Sequence, residues 1–292
     1  MRKFFIIVNP VSGKRDAEKK LLIVTRKFRQ EGIDFREYKT RKDLLADEVI
    51  RNNFNPADFT DIMIIGGDGT INQVLNGIGK IKIPVSIISS GTGNDIARSL
   101  LGTLSTRRQL EIAINGKVRS IDAGLCNNRI FVNGLGIGFD GKVVERMQLN
   151  YKKYKGPLAY YSTVVRLLSG YRESELTISI DDVNTRHEVF LMTVSKGRTF
   201  GGGFKLNPYA RNSDGKLDIC LIRKVPVAKR FIMLPTMSFG GHKYLKEVNF
   251  YKCRECMINA NDHMVAHLDG EFIGYPPFHL KVLPGYFNFR GC

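Results

Sequence analysis

An apolar run that ends in glycines and gives way to a helical pattern recurs along residues 1–122. The clearest case is Ile62-Met-Ile-Ile-Gly-Gly-Asp-Gly-Thr70, after which Ile71 to Ile78 has helical spacing. Lys3 to Val8, Ile33 to Tyr38 and Ile83 to Ile88 read as further strands. Ala17 to Glu31, Leu44 to Asn52 and Asp95 to Leu101 read as helices. Strands that alternate with helices pair in parallel and are covered on both faces. Ligands of such sheets sit at the carboxyl ends of the strands. Three glycine-rich turns fall at such ends: Asn9-Pro-Val-Ser-Gly13, Gly66-Gly-Asp-Gly-Thr70 and Ser90-Gly-Thr-Gly-Asn-Asp95. They are expected to gather on one edge of an α/β domain.

The pattern changes near Asp122. Glu175 to Ile180, His187 to Ser195, Lys216 to Arg223, Val248 to Cys253, Val265 to Leu268 and Phe278 to Leu283 read as strands without regular intervening helices. That predicts an antiparallel β-sandwich. Two helical insertions interrupt it, Pro157 to Leu168 and Val227 to Phe239, the second containing Pro235. A chain of 292 residues is long for one domain. The expected division is 1–122, 123–285 and a tail, 286–292, placed as a candidate return to the first domain.

Composition narrows the function. Hydrophobic residues make up 43%, enough for real cores. No stretch approaches the ~18 apolar residues of a membrane-spanning helix. Met1 to Val8 is too short for a signal sequence, and Asn9-Pro10 stands where a small-residue cleavage site would be. The five cysteines are odd in number and scattered, which argues for free thiols in a reducing compartment. Cys253 and Cys256 form a single CxxC with no second pair to complete a zinc site. The net charge of +17 suits nucleic acid, anionic lipid headgroups or a polyphosphate. No nucleic-acid motif accompanies it, and no nucleic-acid partner is expected.

Backbone N–H groups at glycine-rich turns beside helix N-termini bind phosphate. Each turn here adds hydroxyl or amide side chains, and the last two add carboxylates, Asp68 and Asp95. A carboxylate beside phosphate needs an intervening cation, and Mg²⁺ is the usual one. The glycines are therefore read as letting a polyphosphate approach, with Asp68 balancing its charge through a metal. The chain lacks GxxxxGK[ST], and it lacks GxGxxG after the first strand.

The order NPxSG, GGDGT-Ile71-Asn72, then GTGND-Ile96-Ala97-Arg98 resembles the diacylglycerol kinase catalytic family, relatives of ceramide and sphingosine kinases. The resemblance continues through Asn133-Gly-Leu-Gly-Ile-Gly-Phe-Asp140, Ser213-Asp-Gly-Lys-Leu-Asp218 and Asp269-Gly-Glu271. It implies an α/β nucleotide domain followed by a β-sandwich, and an ATP- and Mg²⁺-dependent lipid kinase. It would place Asn9, Pro10, Ser12, Gly13, Thr40, Gly66, Gly67, Asp68, Gly69, Thr70, Asn72 and Thr92 at ATP. Thr40 also reads as an ordinary helix-initiating threonine.

By the same resemblance Asp68, Asp95 and Asp122 would surround the catalytic magnesium. Asp122 also reads as a strand-end surface carboxylate. A structural metal in the second domain would take Asp214 with the carbonyls of Arg211 and Lys216, although Asp-Gly is an ordinary turn as well. Glu271 would be the catalytic base toward a lipid hydroxyl, and its alternative is a plain turn glutamate. His267 reads as structural. Pro157 to Leu168, flanked by Lys152, Lys153, Lys155 and Arg166, would line a lipid cleft or rest on anionic headgroups, or else pack on the sandwich. Tyr171, Phe200 and Phe204 are further cleft candidates, and Gly201 to Gly203 reads as a mobile loop. The expected location is cytoplasmic, at the inner membrane face, and relatives form homodimers. NAD kinases share GGDG, but NPxSG and GTGND argue against that branch. A non-catalytic nucleotide- or lipid-binding module is the remaining alternative, and the intact Asp68, Asp95, Asp214 and Glu271 argue against it.

Overall fold

The computed structural model describes residues 2–149, 157–181, 183–260 and 264–291. It divides into two compact units: Met1–Ala123 with Pro284–Cys292, and Gly124–Leu283.

The first unit runs β1 (Lys3–Val8), α1 (Asp16–Gln30), β2 (Asp34–Lys39), α2 (Ala46–Asn53), β3 (Asp61–Gly66), α3 (Asp68–Ile78), β4 (Pro84–Ser89), α4 (Asp95–Leu101) and α5 (Thr106–Asn115). The strands pair in parallel in the order β4-β3-β1-β2. The carboxyl ends of β1, β3 and β4 therefore lie side by side, and the three glycine-rich turns follow them. Apolar residues of α1 spaced for one face, Leu21, Val24 and Phe28, join Phe4, Ile6, Met63 and Ile65 in the core. Residues 288 and 289 pair in parallel with Pro84 and Val85 of β4. Arg290 Nε meets the buried Asp61 carboxylate at 2.5 Å and secures this return.

Two details depart from the sequence pattern. Helix α3 starts at Asp68 rather than Ile71, so the Gly-Gly-Asp-Gly motif is a helix entry. Gly67 is its extended N-cap, and an aspartate in the first turn suits the positive end of the helix dipole. Helix α5 was not legible. It opens on the Ser105 side chain, which accepts from the Arg108 N–H.

The second unit contains the last residues of β5 (Lys117–Cys126), then β6 (Arg129–Phe131), β7 (Gly134–Gly138), α6 (Phe139–Leu149), α7 (Pro157–Gly170), β8 (Ser174–Ile180), β9 (Val183–Ser195), β10 (Leu217–Arg223), α8 (Val227–Met237), β11 (Val248–Cys253), β12 (Glu255–Ala260), β13 (Ala266–Leu268), β14 (Glu271–Gly274) and the start of β15 (Phe278–Gly291). Its ladders are antiparallel, in the order β14-β13-β7-β9-β8-β12-β15, with β10 on β9 and β11 on β10. Strand β10 shows why its apolar residues run without a break. Leu217, Ile219 and Leu221 face one core, while Cys220 and Ile222 face another built with α6, α7 and α8. Cys253 and Cys256 are buried free thiols in the first of these cores. Among the described residues no helix is long and apolar enough to cross a membrane.

Candidate functional site

In the first unit the glycines bring the turns together. A Cβ on Gly91 would lie 2.7 Å from the Gly67 Cα, and one on Gly13 would lie 2.0 Å from the Ser90 carbonyl oxygen. Any side chain there would force the turns apart. Hydrogen bonds complete the clasp. Ser90 N–H donates to Gly66 O at 2.9 Å, Asn9 N–H to Ile65 O at 3.0 Å, and Asn9 Nδ2 to Thr70 Oγ1 at 3.0 Å. Asn94 braces the third turn from within, accepting from Gly91 N–H at 2.8 Å and donating to Gly91 O at 2.8 Å.

Asp68 has a defined task. Its two carboxylate oxygens accept the N–H groups of Asp95, at 3.1 Å, and Ile96, at 3.0 Å. It thus caps α4 and ties the second turn to the third. Burial pushes its pKa above the usual carboxylate range, although these N–H bonds and Arg98 oppose the shift. The N–H groups carry no net charge, so they position the carboxylate without neutralising it. Each oxygen keeps lone pairs for another donor. With Asp95 buried beside it, this donor set fits Mg²⁺, which takes one or two carboxylates together with phosphate oxygens and water. Asp122, the third carboxylate of that expected network, is buried as well. It accepts the Gly285 N–H at 2.9 Å and holds the returning chain. Among the described residues no three His, Cys, Asp or Glu side chains converge to hold a metal.

The other candidates on this edge divide by exposure. Ser12, Asn9, Pro10, Gly67, Gly69 and Asp68 are half-buried, Gly13 and Thr92 are exposed. Gly66, Thr40, Thr70 and Asn72 are buried. Thr70 accepts from Asn9, and Asn72 Oδ1 accepts from Asn76 Nδ2 at 3.0 Å, so both brace the edge from inside. Sequence reasoning missed the conformation of the first turn. Gly13, Lys14 and Arg15 all have positive φ, at 59°, 57° and 74°. That is strained for Lys14 and Arg15, and strain of this kind concentrates at functional sites. It leaves two cationic side chains, both exposed, on the turn.

In the second unit the Asp269-Gly-Glu271 turn is held by its neighbours. The buried Asp269 carboxylate accepts the N–H groups of Val132, Asn133 and Gly134 at 3.1, 3.1 and 2.7 Å. Asp269 itself has φ 49°, the strained corner of the turn. His267 takes up the other side. Gly270 N–H donates to its Nδ1 at 3.2 Å, so its Nε2 is the proton donor to Asp140 Oδ2 at 2.8 Å. Gly136 makes room for this pair, since a Cβ there would sit 2.4 Å from both Asp140 Oδ2 and His267 Nε2. The glycine and aspartate of the 133–140 motif thus serve the 269–271 turn. Glu271 stands at the start of β14, partly exposed, with Oε2 2.8 Å from Arg129 Nη2. Arg129 was not legible as a partner, because 142 residues separate the two.

The Asp214 turn is occupied by cations of the chain's own. Lys196 Nζ donates to Asp214 Oδ1 at 2.9 Å and, in a short bond, to the Lys216 carbonyl. Lys252 Nζ donates to Asp214 Oδ2 at 2.6 Å and lies 3.1 Å from Asp218 Oδ1. Asp214 and the Lys216 carbonyl are two of the three groups expected to hold a structural metal. Arg211 contributes its N–H to Asp218 Oδ2 at 3.2 Å. Burial pushes the Asp214 pKa up, but the two lysines more than offset it and hold the carboxyl down at about 2. This donor set does not fit an added divalent ion.

A small apolar pocket of about 30 Å³ lies among α6, α7, α8 and β9. Val143, Val164, Leu168, Phe200, Phe204 and Met237 line it, with Asp140 and Arg230 as its polar members. Tyr171 stands against Phe139 and Phe190, ring centroids 5.4 and 5.7 Å away. The Gly201–Gly203 segment is a tight turn rather than a slack loop. Phe200 and Phe204 exchange backbone hydrogen bonds of 2.8 and 2.9 Å across it, and all three glycines have positive φ. Lys152, Lys153 and Lys155 lie outside the described residues, as do the side chains of residues 157–161.

Comparisons with known proteins agree with this geometry. Residues 3–126 match the diacylglycerol kinase catalytic domain. Residues 133–290 match the YegS C-terminal NAD kinase β-sandwich-like domain. A diacylglycerol kinase of Bacillus subtilis (strain 168) is 31% identical over 98% of this chain and 93% of its own length. That of Staphylococcus carnosus (strain TM300) is 29% identical over 93% and 89%. A crystal structure of a diacylglycerol kinase from Bacillus anthracis str. Sterne has the same fold, with a TM-score of 0.79 at 22% identity over 99% of this chain and 96% of that one.

Proposed function

The chain belongs to the diacylglycerol kinase family and is a lipid kinase, and from that premise we propose that it uses ATP and Mg²⁺ to phosphorylate the hydroxyl of a lipid such as diacylglycerol. The observation that carries the donor side is the clasp of three glycine turns at one sheet edge, with Asp68 tying two of them together. Backbone N–H groups and the Lys14 and Arg15 charges on the first turn hold the phosphates of ATP. Asp68 and Asp95 would hold Mg²⁺, which would neutralise charge on the phosphates. Most of the rate enhancement in phosphoryl transfer comes from such positioning and electrostatics.

Glu271 takes the proton of the acceptor hydroxyl as its oxygen bonds to the γ-phosphorus and ADP departs with the bridging oxygen. Arg129 aims the Glu271 carboxylate, and Asp269 and the Asp140–His267 pair fix the turn that carries it. The small apolar pocket widens to accept part of a lipid chain, and its methionines, Met233 and Met237, adapt as it opens. The outer face of α8 presents Phe231 and Ile232, the latter 72% exposed, and Phe239 follows at 69%. These residues dip into the headgroup layer of the cytoplasmic leaflet, on or just after the same helix that lines the pocket with Met233 and Met237.

The test is phosphoryl transfer from γ-labelled ATP with Mg²⁺ to a panel of lipid alcohols in mixed micelles, with NAD as a separate acceptor and Asp68→Ala as the blank. Label in a lipid, absent in the blank, is the expected result. Label in NADP alone would overturn the lipid assignment.

A further inference from the structure

The Asp214 turn is where the family resemblance implies a structural metal, and there the chain places lysines instead. Lys196 is the instructive residue. It follows the buried run Val189 to Ser195, its side chain is fully buried, and its ammonium joins Asp214 Oδ1 to the Lys216 carbonyl. Those two groups are ones that the resemblance would give to a divalent ion. A buried ammonium is costly unless it is paired and fully hydrogen-bonded, so its presence marks a site built for a cation. Lys252 takes the other Asp214 oxygen and extends the cluster to Asp218, which in turn accepts the Arg211 N–H. Two ammonium groups together carry the charge of one divalent ion. Lys196 directly follows β9 and Lys252 lies on β11, the two neighbours of β10, so they tie the turn to both flanking strands.

We propose that Lys196 and Lys252 replace the structural metal of this turn, so that the second unit holds it in place without any divalent cation. The inference concerns the stability of the second unit and does not rest on the lipid-kinase activity.

The test is thermal unfolding of the nucleotide-free full chain in EDTA and in excess Mg²⁺, for wild type and Asp214→Asn. The expected result is no Mg²⁺-dependent rise in Tm that requires Asp214, and a rise shared by both proteins agrees with this. A rise in wild type that Asp214→Asn abolishes would overturn the proposal. A second arm uses Lys196→Met and the more exposed Lys252→Met. Both should unfold at lower temperature than wild type, Lys196→Met the more so, and failure of Lys196→Met to fold counts as the same loss. Unchanged melting in both variants would overturn the proposal without reference to catalysis.

Discussion

Two carboxylates in Asp-Gly dipeptides, Asp68 at a helix entry and Asp214 in a turn, one in each unit, are treated in opposite ways. Asp68 is held by backbone N–H groups, which fix its position and leave its charge in place. Asp214 is held by two ammonium groups, which fix its position and cancel its charge. The shifts follow: burial raises the pKa of Asp68, whereas the lysines bring that of Asp214 down to about 2. A carboxylate bonded to neutral N–H donors can still take an external cation, and one already paired with two ammonium groups does not. The same dipeptide thus makes a reactive site in one unit and a structural joint in the other. The nature of the donor decides between them.

Substitutions can break each half of this comparison. The largest effect is expected at Glu271. Glu271→Gln keeps a partner for Arg129 but removes the base, and turnover should fall by roughly 10²- to 10⁴-fold, as read by initial rates with saturating lipid. Asp68→Asn should also stop transfer and should lower the melting temperature, because the carboxylate accepts two N–H groups and an amide can accept only one of them, leaving its NH2 against the other donor. A calorimetric scan beside the activity assay separates the two effects.

The Asp214 joint should respond to pH in a defined window. Folding lowers the Asp214 pKa, so as pH falls the unfolded chain takes up that proton first. The stabilisation is complete above the ordinary value of 3.8 and is lost as pH falls through about 2. Lys252→Met should flatten that part of an acid-unfolding curve.

Smaller effects are expected where a side chain only aims another. Arg129→Gln should lower kcat by far less than Glu271→Gln and leave the ATP KM unchanged. Ile232→Ser with Phe231→Ser should weaken binding to anionic vesicles in a sedimentation assay while sparing ATP binding. An unaltered vesicle isotherm would remove α8 from the membrane-facing surface.

The parts legible in sequence were those written in local pattern. Apolar runs located the strands, and glycines at their ends located the edge. The purpose of Gly67 and Gly91 was not legible, because each is required by the other's backbone across the sheet edge. Contacts between distant segments were hidden for the same reason. Arg129 meets Glu271 across 142 residues, and His267 meets Asp140 across 127. Helix α6 was missed because its buried residues, Phe139, Asp140, Gly141 and Val143, crowd into the first turn and leave no repeating stripe. Lys196 did carry a signal: a charged residue close behind the mostly apolar stretch Val189 to Val194 is either at the surface or paired in the interior.

The most direct test of the contrast follows two amides by NMR during a Mg²⁺ titration, with a non-hydrolysable ATP analogue present. The Ile96 N–H donates to Asp68, and the Lys216 N–H donates to Asp214 at 3.3 Å, so each reports on its own carboxylate. The Ile96 amide should shift with saturating behaviour while the Lys216 amide stays in place. A saturating shift at Lys216, or none at Ile96, would contradict the account.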